Sequence, residues 1–179
     1  MLGMSTSTYT ALHVLISFLA IASGVAAMYG MLRGKRLDGI TAIFLASTAL
    51  TSVTGFGFPL KEVTPGLIVG GLSLVALAIA IAARYGMHLR GAGRWMYVVT
   101  AALALYFNVF VLVVQSFEKV PALHALAPTQ KEPPFAVTQL ALLAVLIAAT
   151  ILAVKRFHPQ AARSIPAAIS GNRREKGAA

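Results

Sequence analysis

The side chains best equipped for chemistry in this sequence are His13, Ser17, Ser52, Asn108, Gln115 and Gln139, because each is a polar group set inside an otherwise apolar run. An imidazole, two hydroxyls and three primary amides can donate and accept hydrogen bonds, which suits them to recognising a ligand. They supply no carboxylate for a proton relay. No H-E-x-x-H, G-x-S-x-G or P-loop pattern occurs, so no catalytic residue is assigned. The absence of cysteine excludes disulfides, thiolate metal sites and C-x-x-C-H haem attachment. Among the four histidines, His13 alone lies within an apolar run, His124 falls in a connection, and His88 and His158 lie beside basic clusters. Bis-histidine haem ligation needs two ligands at one depth, which only His13 with His124 or His88 with His158 could provide. His13 and His124 are thus weak metal candidates, no cofactor is expected, and haem is a minor alternative.

The elements that must position these groups are five uncharged apolar runs, at 9–32, 39–58, 66–83, 95–117 and 135–154. Each is long enough to cross about 30 Å of hydrocarbon as a helix, and none shows the alternation of a barrel strand. Over the 179 residues, 58% are hydrophobic, 11% are charged and the mean hydropathy is +0.81, more apolar surface than a soluble domain of this size can hide. The expected fold is all-α, a polytopic transmembrane bundle of about five helices over residues 1–157. A basic tail at 158–179 is expected to be disordered and held near anionic lipid. Residues 1–8 contain no lysine or arginine, so the first run reads as a retained helix rather than a cleaved signal.

The net charge of +10 resembles that of a nucleic-acid binder, but the cations sit at the ends of apolar runs, which is an orientation signal. Arg33, Lys35 and Arg36, then Arg84, Arg90 and Arg94, then six cations after Val154 crowd one side, against Lys61, Lys119 and Lys131 on the other. This asymmetry puts the N-terminus outside and the C-terminus in the cytoplasm. Tyr29, Tyr85 and Trp95 would mark the inner interface, and Tyr9, Phe117 and Phe135 the outer one.

Several features bear on packing. His13, Ser17, Ala20, Gly24 and Ala27 form one face of the first run, and Thr100, Ala104, Asn108 and Gln115 one face of the fourth, so both should turn inward. Gly66-x-x-x-Gly70 and the alanines after it suit close contact with a neighbouring helix or a second protomer. The stretch 26–34 recurs at 82–91 with one inserted histidine, which a duplicated two-helix hairpin or convergence on good junction chemistry explains equally. Gly55-Phe56-Gly57-Phe58-Pro59 reads as the end of the second helix. After Pro121, Val120, Leu123 and Leu126 suit a short interfacial helix that could cover a cavity.

The stretches Gly34-Lys35-Arg36-Leu37-Asp38-Gly39-Ile40-Thr41-Ala42-Ile43-Phe44-Leu45, Lys119-Val120-Pro121-Ala122-Leu123, Ala127-Pro128-Thr129-Gln130 and Pro133-Pro134-Phe135 resemble uncharacterised small bacterial inner-membrane proteins. The likeness covers most of the chain before the tail. It implies a bacterial inner membrane and carries no activity.

Depth counting places His13, Gln115 and Gln139 in one layer below the outer surface, because they lie four, two and four residues inward of Tyr9, Phe117 and Phe135. The expectation is that they face one another and, with Ser17, Ser52 and Asn108, line an outward pocket. The alternative is a closed network of interhelical hydrogen bonds. The chain then reads as a binding or accessory component. A haem- or quinone-binding redox protein and a small oligomeric transporter are the alternatives, and a partner membrane subunit or a second copy is a candidate partner. Fusion of a reporter to the C-terminus checks the orientation: a cytoplasmic fluorescent reporter should shine and a periplasm-dependent phosphatase should stay inactive. The reverse pattern would place the tail outside.

Overall fold

A computed structural model describes residues 5–58 and 65–158. The helices are α1 (Thr6–Leu32), α2 (Asp38–Gly55), α3 (Pro65–Ile81), α4 (Ala92–Lys119), a short α5 (Pro121–Leu126) and α6 (Pro133–Arg156), with a π-helical turn at Ala82–Gly86. No strand occurs among the described residues, so the molecule is an all-α bundle. Local chemistry sets the boundaries. The Ser5 side chain accepts the Thr8 N–H at 3.2 Å to cap α1, and prolines sit in the first turn of α5 and α6, where an N–H would have no intrahelical partner.

Helix α1, α3 with its π turn, α4 and α6 are each long and apolar enough to cross a membrane. The expectation of five such runs is met by four. Helix α2 ends at Gly55 rather than Phe58 and carries Thr41, Ser47, Thr48, Thr51, Ser52 and Thr54 among its 18 residues. Two of these hydroxyls are used within the helix, Ser47 Oγ donating to the Ile43 carbonyl at 2.6 Å and Thr54 Oγ1 to the Leu50 carbonyl at 2.8 Å, while Thr51 and Thr48 bond to Ser17 and Asn108 on neighbouring helices.

Successive long helices alternate in direction, and one end of the bundle gathers the cations. Arg84, in the π turn, pairs with Asp38 at the start of α2, and Asp38 also accepts from Arg36 Nε at 2.7 Å. Arg94, at the start of α4, donates through Nη1 to the Val154 and Phe157 carbonyls at 2.8 and 2.9 Å, tying down the end of α6. The Arg84 side chain is only 1% exposed. Its guanidinium lies 5.1 Å from the Tyr97 ring centre and 5.7 Å from that of Tyr85, a cation–π setting that offsets part of its desolvation. Around it Phe44, Leu77, Ala80, Val98, Ala101 and Leu105 form the core.

The repeated stretch has diverged at this end. Gly34 and Gly91 both take left-handed backbone, φ +66° and +51°, which a side chain would strain. The second copy accommodates its inserted residue through the π turn, closed by Met87 N–H to the Ala82 carbonyl at 2.9 Å, followed by left-handed His88 and Leu89. Where the first copy has Met28, the second buries Arg84.

The outside of the bundle is apolar. Leu15, Val75, Val137, Leu140 and Val145 are exposed, as are Tyr29, Tyr85 and Trp95 at the cationic end. At the opposite end the expected aromatic belt does not form. Tyr9 is buried because its hydroxyl donates to the Thr54 carbonyl at 2.7 Å, and Phe117 is buried edge-on against Phe135, 5.4 Å between ring centres. The short helix after Pro121 is present as α5. Before α6, some desolvation pushes the Glu132 carboxyl up, but hydrogen bonds from the Thr129 hydroxyl and nearby backbone N–H groups outweigh it and hold the carboxyl below its ordinary range. The tail from residue 159 lies outside the described residues.

Burying one partner of an ion pair more deeply than the other makes its substitutions asymmetric. Asp38→Ala leaves Arg84 buried without its counter-charge and should cost about 3 kcal/mol, the low end for a broken buried pair because Asp38 is exposed. Arg84→Met removes the charge, keeps the volume and leaves Asp38 paired with Arg36, so it should cost less. Reversible unfolding in mixed micelles measures both, and equal losses would contradict the buried geometry.

Candidate functional site

At the end away from the arginines the described parts of the helices do not close. Between α1, α2, α3 and α4 lies a cavity of about 570 Å³, partly open to the exterior. Its size falls in the range of small-molecule sites. The wall is built mainly from aromatic and aliphatic side chains, including Phe18, Phe56, Phe58 and Phe107.

A polar seam between α1 and α2 forms one side. His13 Nδ1 lies 2.8 Å from Thr54 Oγ1, and Ser17 Oγ lies 2.9 Å from Thr51 Oγ1 while donating to the His13 carbonyl. The Thr54 hydroxyl has one proton, already directed at the Leu50 carbonyl, so it accepts from His13. His13 Nδ1 therefore carries the hydrogen and Nε2 the lone pair. The ring also packs edge-on against Phe58, 5.2 Å between centres.

On the opposite side Asn108 Nδ2 donates to Thr48 Oγ1 at 3.0 Å, which fixes α4 to α2 and leaves Asn108 Oδ1 without a partner among the described residues. Ser73 on α3 also lines the cavity. It is 2% exposed, and its Oγ has no hydrogen-bond partner among the described residues. Gln115 lies toward the rim, where its Nε2 donates to Glu118 Oε2 at 3.2 Å, and Lys119 supplies a cation there.

Five of the six residues singled out by sequence thus line one cavity: His13, Ser17, Ser52, Asn108 and Gln115. Gln139 does not. It is buried on α6 against the outside of α4, where Nε2 donates to the Phe110 carbonyl at 3.3 Å and Oε1 is left unpartnered. The expected facing of His13, Gln115 and Gln139 fails because shared depth does not fix direction around the bundle, and α6 packs on the side of α4 turned away from the cavity. His124, exposed on α5, is not a lining residue, and α5 itself contributes nothing to the wall. No group of three potential metal ligands occurs among the described residues.

Sequence reasoning also missed Ser73 and did not place the α3 glycines in the wall. Gly66 and Gly70 both line the cavity. A Cβ at Gly70 would stand 3.6 Å from the Phe56 ring, an ordinary contact, so the missing side chain leaves space open. The spacing of Gly66, Gly70 and Ser73, four and then three, is the signal that could have placed them on one face. A close approach between helices occurs at Gly24, where a Cβ would meet Phe44 and Leu105 at 2.8 Å.

The chain is thus an all-α bundle whose long apolar helices can span a membrane around an internal cavity. Compared with protein-family models, curated proteins and solved structures, it matches none.

Proposed function

We propose that this chain is a bacterial inner-membrane binding or accessory component that takes up a small amphipathic molecule in the cavity between α1 and α4. Positive-inside charge supports a cytoplasmic arginine end and a cavity facing outward. Internal bonding of the α2 hydroxyls supports α2 as a fifth crossing, since 18 residues extend about 27 Å.

The observation that carries the reading is the cavity of about 570 Å³ itself, whose mostly apolar wall carries the polar side chains of His13, Ser17, Ser52 and Asn108. Leaving a polar wall group unpaired costs about 1–3 kcal/mol, and Asn108 Oδ1, without a partner among the described residues, is a group that an occupant able to donate would satisfy. Among the described residues the wall contains no carboxylate and no paired histidine, which favours binding over proton-relay or haem chemistry.

Native mass spectrometry of protein released gently from membranes tests the proposal. The wild type should retain one bound molecule that Gly70→Leu, which fills the cavity, does not. Identical spectra for the two proteins would refute a cavity ligand.

A further inference from the structure

The proposal of a cavity ligand leaves its chemistry open, and the hydrogen-bonding state of the wall narrows it. Two wall atoms have unused acceptor capacity among the described residues, His13 Nε2 and Asn108 Oδ1. His13 Nδ1–H is committed to Thr54 and one Asn108 amide hydrogen to Thr48, while the second Asn108 hydrogen and the Ser52 hydroxyl have no partner among the described residues. The interior therefore presents both lone pairs and hydrogens to an occupant, and it suits a neutral group that can donate and accept, with His13 Nε2 able only to accept.

A charged donor fits poorly. Among the described residues, an ammonium group would enter an apolar wall with no carboxylate to pair with, because Glu118 lies exposed outside and is engaged by Gln115. Lys119 at the rim opposes a cation further. A neutral hydroxyl meets neither obstacle. The apolar part of the wall also selects: Phe18, Phe56, Phe58 and Phe107 surround the space, and Phe58 already packs edge-on against both Tyr9 and His13. Such rings accept a further ring in offset or edge-to-face contact.

Building on the cavity as a ligand site, we infer that its occupant is a neutral ring compound bearing a hydroxyl, a phenol or hydroquinone by class. The hydroxyl donates to His13 Nε2, and the ring lies among the phenylalanines. Asn108 Oδ1 serves a second donor across the cavity. Binding alone is inferred, with no electron or proton transfer.

Fluorine NMR titration of the full chain in lipid nanodiscs tests this with 6-fluoro-2-naphthol and its methyl ether, which differ in the one hydrogen that can be donated. In the wild type the naphthol should bind saturably and about tenfold more tightly than the ether, the effect of one well-made hydrogen bond. His13→Phe should bring the naphthol to the affinity of the ether and leave the ether unchanged, and Gly70→Leu should abolish saturable binding of both. Equal wild-type affinities would overturn the hydroxyl inference and keep the cavity as an apolar site, whether or not His13→Phe folds. Absence of saturable binding by either probe would overturn the inference, and retention of a different molecule in the mass spectra would still uphold the cavity as a ligand site.

Discussion

Hydrocarbon offers no hydrogen bonds, so each polar side chain within a membrane-crossing bundle must find its partner inside the protein. Most of the architecture follows from that constraint. Ser47, Thr54, Thr100, Ser116 and Thr150 return their protons to the backbone one turn earlier. Tyr9, His13 and Ser17 instead reach from α1 to α2, and Asn108 reaches from α4 to α2, so that the same requirement sets which helices lie side by side. Three buried atoms escape it among the described residues: Ser73 Oγ, Gln139 Oε1 and Arg84 Nε. Gln139 and Arg84 each make another strong contact through the same side chain, whereas Ser73 makes none through its hydroxyl and lines a cavity.

The two ends of the bundle solve opposite problems. At the arginine end, ionic and aromatic contacts with Asp38, Tyr97 and the α6 carboxyl terminus hold α2, α3, α4 and α6 together, and apolar packing fills the core. Glycines at 66 and 70 and the early stop of α2 leave the other end open. A rigid closed end supporting an open polar-walled end is the arrangement that lets a site keep its shape while its mouth stays accessible.

Much of this was legible in the sequence, for reasons that also mark where reading stops. Apolar runs place the helices because lipid demands length and paired backbone, and the stripe from His13 to Ala27 turns inward because small and polar groups are worth more against another helix than against acyl chains. Depth is set by counting residues, so His13 and Gln115 could be grouped with Gln139, and Asn108 joined them through the face of its helix that it shares with Gln115. Azimuth depends on which neighbour each helix chooses, and that choice separates Gln139 from them. Arg84 was legible as a cation but not as a buried one: its burial needs Asp38, 46 residues away, and the π turn that aims it inward. Ser73 was invisible as an isolated hydroxyl in an apolar run, since a missing partner can be recognised only when every neighbour is in place.

Whether the open end is a water-accessible site facing away from the arginines is settled most directly by thiol labelling. Ser17→Cys, one turn inward of His13 in this cysteine-free chain, would be exposed to a small membrane-impermeant methanethiosulfonate in sealed vesicles of each orientation. Reaction from the outer side only, slowed sharply when Gly70→Leu is added, is the predicted result. No reaction from the outer side, or a rate unaffected by filling the cavity, would contradict the account.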